Sequence, residues 1–74
     1  MISEESIIIF FSEFWEMDPD SITLDTKFDN KKIDNFTSLR FLQFIAAIES
    51  NFDFKFKSIN ELTSMRDLVK VINE

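Results

Sequence analysis

Residues 37–52 constrain this chain most. They run for sixteen positions without a proline or a glycine in a chain of only 74 residues. Leu39, Leu42, Ile45, Ala46 and Phe52 recur at helical spacing, and Phe41, Phe44 and Ile48 widen the stripe. Ala46-Ala47 adds helix propensity at the centre. The spacing predicts one amphipathic helix with this stripe as its apolar face. Thr37 is placed to cap the first turn with its side-chain oxygen. Asn51 is placed to stop the helix, because asparagine tolerates left-handed backbone.

Ser38 follows that cap, beside the free N–H groups at the positive end of the helix dipole. An anionic group esterified to its hydroxyl would be stabilised there. The plainer alternative makes Ser38 itself the cap, with no chemistry.

Composition narrows what such a helix can serve. The chain has no cysteine, histidine or glycine. Disulfides, zinc sites, most nucleophile–base pairs and glycine-rich phosphate loops are therefore unavailable. No catalytic residue and no metal ligand stands out, and the chain does not read as an enzyme. A formal charge of -6 argues against nucleic acid or an anionic membrane as partner. The longest apolar run, 7–11, is too short for membrane insertion. The start Met-Ile-Ser-Glu-Glu carries no basic region or cleavage signal, which predicts a free-standing cytoplasmic protein. Residues 1–74 form one domain, and ten phenylalanines supply the core so small a chain needs.

A first helix is predicted over 4–16, capped by Ser3, with Glu4 and Glu5 favourably placed in its first turn. Ile7, Phe10, Phe11 and Phe14 form its stripe, and Ile8, Ile9 and Trp15 extend it past half the circumference. Asp18-Pro19-Asp20 ends it. Further on, 53–56 reads as an extended connector. Ser58 and Glu61 have capping-box spacing and predict a one-turn helix ending near Leu62. Thr63 or Ser64 then caps a last helix over 65–72, with Met65, Leu68, Val69 and Ile72 on one face.

Several of these features occur together in one known family. Thr37-Ser38-Leu39 at a helix start, Glu49 late in that helix, Phe52 and the Phe54/Phe56 tail resemble the acyl carrier protein family. Ile22 and Phe28 match the anchors of that family's long first loop, and Leu62-Thr63-Ser64-Met65 followed by Asp67-Leu68-Val69 resembles its closing motif. The resemblance implies an all-α four-helix bundle of acyl-carrier type, with three longer helices, one short helix and a long first loop. It implies that Ser38 bears 4'-phosphopantetheine, derived from coenzyme A, on which acyl groups travel as thioesters. The setting would be fatty acid, polyketide or related biosynthesis. Its partners would be a phosphopantetheinyl transferase and acyl-loading, condensing or modifying enzymes, met by a monomer. Leu39, Arg40, Phe41, Gln43 and Glu49 fall at partner-docking positions, and Phe28, Ile45, Ile48, Phe56 and Leu62 at acyl-cavity positions. Arg40 and Glu49 cancel, so this docking helix is neutral where fatty-acid carriers are acidic.

Two departures stand out. The family's aspartate before the serine is Thr37 here, and the 29–36 connection is longer and lacks a glycine. Counting forward from Phe28 puts Asp34-Asn35-Phe36 at the attachment motif. Counting back from Glu49 and Phe52 puts Thr37-Ser38-Leu39 there. The backward count runs along a helix that tolerates no insertion, whereas loops do. The alternative is a carrier-like helical protein-interaction module without the prosthetic group.

Overall fold

The computed structural model describes residues 2–31 and 33–74; Met1 and Lys32, named in the readings of the amino terminus and of the 29–36 connection, lie outside them. Among the described residues there are three α-helices and no strand: α1 (Glu4–Trp15), α2 (Ser38–Asn51) and α3 (Met65–Ile72). A single 3-10 turn, Pro19–Ser21, follows α1.

Each helix starts where a hydroxyl can reach back to a free N–H. Ser3 accepts from Ser6, Thr37 from Arg40 and Ser64 from Asp67. The first turn of α3 is satisfied twice over, because the Met65 and Arg66 N–H groups donate to the Thr26 and Leu24 carbonyls of the first loop. That loop is thereby fastened along the start of α3, with Lys27 and Ser64 forming an isolated bridge.

The helix ends differ from the sequence reading. The first helix stops at Trp15, one residue early, and Glu16 takes the left-handed conformation (φ 54°). In α2 the helix stops at Asn51 as expected, but the left-handed residue is Asp53 (φ 52°), not Asn51. With no glycine in the chain, other residues take these positive-φ positions: Asp53 is of a type that tolerates them, whereas Glu16 has no such preference. The expected one-turn helix at 58–62 is not formed. Only a turn is present there, closed by the Leu62 N–H donating to the Ile59 carbonyl, and no Ser58–Glu61 capping pair accompanies it. The fourth helix of the expected bundle is therefore missing.

Aromatic contacts fix how α1 lies on α2. Phe10, midway along α1, meets Phe52 just past the end of α2 (centroids 5.5 Å apart). Trp15, at the end of α1, lies under Arg40 in the first turn of α2. The two helices are thus antiparallel. Phe11 sits between Phe44 (edge-to-face, 5.3 Å) and the loop anchor Phe28 (stacked, 5.5 Å). Phe11, Phe44, Ile7, Ile33, Ile48, Met65 and Leu68 are fully buried. Of the predicted stripe, Ile7 and Phe11 are buried, whereas Phe10 and Phe14 are only half-buried and Trp15 joins the interior. The radius of gyration is 11.2 Å, against about 11 Å for a folded domain of this length.

A similar exchange occurs in α2. Its buried stripe is Phe44, Ile45 and Ile48, with Phe41 and Phe52 half-buried on the same side. Leu39 (67% exposed), Leu42 (52%) and Ala46 face solvent, so they do not form the inward face that their spacing suggested.

Candidate functional site

Ser38 is the first residue of α2 and is exposed. Capping falls to its neighbour: Thr37 Oγ1 accepts the Arg40 N–H at 3.1 Å, and the Thr37 carbonyl accepts from Phe41 at 2.9 Å. The Ser38 hydroxyl makes no hydrogen bond to the described residues, nor do the Ser38 and Leu39 N–H groups. One free hydroxyl and two free backbone donors thus stand together at the positive end of a 14-residue helix. The competing position, Asn35, lies in a turn with φ 63°, outside any helix.

The five docking positions do not share one environment. Leu39 and Gln43 are exposed. Phe41 is half-buried among the rings of Phe28, Phe36 and Phe44. Arg40 is half-buried, with its guanidinium carbon 5.2 Å from the Phe14 centroid and 5.4 Å from that of Trp15. Cation–π attraction holds it against α1, and its Nε and the Trp15 Nε1 are buried without protein partners. Glu49 accepts the Phe56 N–H at 2.9 Å through Oε2, while its carbonyl accepts from Phe54. Glu49 thereby ties the 53–56 connector to the end of α2. The expected neutral pair of surface charges is consequently not a surface pair: both groups are turned to internal work. The outward face of α2 is Leu39, Leu42, Gln43, Ala46 and Ser50, all uncharged.

Phe28, Ile45, Ile48, Phe56 and Leu62 all join or pack against the core cluster. None of the four principal surface clefts is lined by these five residues or by Ser38. No group of three or more acidic side chains capable of holding a metal ion occurs among the described residues. No helix among them is long and apolar enough to cross a membrane.

Sequence reasoning missed two contributors to the site. Ile33, fully buried, anchors the 29–36 connection, and its carbonyl accepts from Phe36, which stacks on Trp15 at 5.4 Å. Together they hold the chain entering α2. An isolated isoleucine in a polar stretch was the only signal available for this. Comparison with protein-family models, curated proteins and solved structures finds no match to this chain.

Proposed function

We propose that this protein is a carrier that receives 4'-phosphopantetheine on Ser38. The observation that carries the reading is the division of labour at the start of α2: Thr37 caps the helix, which leaves the Ser38 hydroxyl exposed and without an internal partner. The residues present fit the group. A phosphodiester on Ser38 would lie at the helix's positive end, beside the free Ser38 and Leu39 N–H groups. When bound, the arm supplies a terminal thiol for acyl transfer. The chain's own part is to present it and to offer the uncharged Leu39/Leu42/Gln43 face to partner enzymes. Magnesium and the base that activates the serine belong to the transferase.

The test is the intact mass after incubation with coenzyme A and a broad-specificity phosphopantetheinyl transferase. The wild type and Asn35→Ala each gain one phosphopantetheine, and Ser38→Ala gains none. A wild type that gains none supports the second reading, a carrier-like interaction module, for which the largely uncharged outward face of α2 is the relevant observation.

A further inference from the structure

The strongest feature that this reading leaves unused lies on α1 and does not include Ser38. An open cleft of about 510 Å³ has an apolar floor of Ile8, Ile9 and Pro19 and a rim of Glu4, Glu5 and Asp20. Ile9 is 43% exposed, although the nearby α1 residues Ile7 and Phe11 are fully buried. On its other flank lies a second cleft of about 430 Å³, which includes Glu13 and Phe52. The apolar surface is thus continuous across Ile9 and bordered by carboxylates on both sides.

The charge around it is one-sided. Residues 1–26 hold seven carboxylates (Glu4, Glu5, Glu13, Glu16, Asp18, Asp20 and Asp25) and no lysine or arginine; all eight basic residues lie from Lys27 onward. Among the described residues the one ion pair made by these carboxylates is Asp25 with Arg66, at 2.9 Å. The helix dipole accounts for Glu4 and Glu5 in the first turn. It does not account for an apolar floor beneath them.

We propose that this groove docks a basic amphipathic helix of a partner protein. Two aliphatic side chains one turn apart would straddle Ile9 and enter the two clefts, and flanking lysines or arginines would meet Glu4, Glu5, Glu13 and Asp20. The 12 residues of α1 span about 18 Å, room for roughly three turns of such a helix. Charge selects this occupant over the others. An anionic lipid surface or a nucleic acid would bring like charge to the most acidic part of the molecule, as would a second copy meeting it through the same face. The surface is separate from Ser38, which lies about 20 Å away along α2 from Asn51 in the second cleft, so the proposal stands or falls independently of the carrier reading.

The test uses the full chain and a fluorescein-labelled helical peptide of roughly four turns, with leucines one turn apart and lysines flanking them. One control peptide carries glutamate for lysine, and another glutamine for leucine. Anisotropy titrations are run at low and high salt. The lysine–leucine peptide should bind, with affinity that falls as salt rises, and both controls should bind at least about tenfold more weakly. Ile9→Gln and the triple Glu4→Gln/Glu5→Gln/Asp20→Asn should each weaken binding about tenfold, the triple also losing most of the salt dependence. Leu42→Gln, on the face of α2, should bind as wild type does. Ile9 is exposed, so its variant should keep the wild-type circular dichroism and melt. The proposal is overturned if the peptide does not bind, if Leu42→Gln rather than Ile9→Gln abolishes binding, or if sedimentation shows the groove filled by a second copy.

Discussion

At the residue scale, what each side chain does follows from whether it found an internal partner. Thr37 and Ser38 differ by a methyl group and one position, yet one is spent on the Arg40 N–H and the other is free. Each cap was legible in the sequence to within one residue, Ser3 outright, Thr37 beside Ser38 and Ser64 beside Thr63, because a hydroxyl before a periodic apolar run has few other uses. Which phenylalanines are buried was not legible, since α1 is apolar on most sides and only its neighbours select the inner face. Phe11→Ala and Phe44→Ala should each cost about 3–5 kcal/mol in urea unfolding, most of the stability of a domain this small. Phe10→Ala and Phe14→Ala, half-buried, should cost clearly less. An equal loss at all four positions would contradict the burial described. The role of Glu49 was equally hidden: its spacing from Ser38 suggested a docking charge, whereas its carboxylate holds the Phe56 N–H. Glu49→Ala should cost about 1–3 kcal/mol by leaving that donor unpaired, and amide exchange at Phe56 should quicken.

At the scale of elements, the existence of α1, α2 and α3 was readable from periodicity, and α3 has the predicted bounds. The orientation of α2 was not, because apolar residues lie on opposite sides of it. Leu39, Leu42 and Ala46 compete with Phe41, Phe44 and Ile48, and the aromatic surface of α1 decides for the second set. The short helix at 58–62 is replaced by a single turn, in which the Leu62 N–H donates to the Ile59 carbonyl. The start of α3 has its own acid sensitivity. The Thr63 hydroxyl, then the Thr63 N–H, donates to the Asp67 carboxylate and holds its pKa below the ordinary value of 3.8. A depressed folded pKa gives stability that is present above the ordinary value and lost as pH falls through the folded one. Thr63→Val should therefore flatten the acid limb of the stability–pH profile below about pH 4, as read by circular dichroism melts. An unchanged limb would mean that the Thr63–Asp67 pair carries none of it. Arg40→Glu should destabilise, because it would set a carboxylate against the faces of Phe14 and Trp15. Gln43→Glu, exposed, should be neutral in the same melts.

At the scale of the whole molecule, two surfaces carry different chemistry. The start of α2 presents a free serine beside an exposed leucine, and α1 presents an apolar groove edged with carboxylates. The carrier reading depends on which end-defining count is followed through the 29–36 connection, forward from Phe28 or back from Glu49. The backward count follows the helix, which tolerates no insertion. Ser38 begins that helix, and Asn35 lies in a left-handed turn before it. The most direct measurement moves the hydroxyl between the two positions: transfer from fluorescent coenzyme A by the transferase, with peptide mapping of the label, for wild type and for Asn35→Ser/Ser38→Ala. Label confined to Ser38 in the wild type, with none on the double variant, is the predicted result. Label on the serine introduced at position 35, or none on the wild type, would contradict the claim that the start of α2 defines the site.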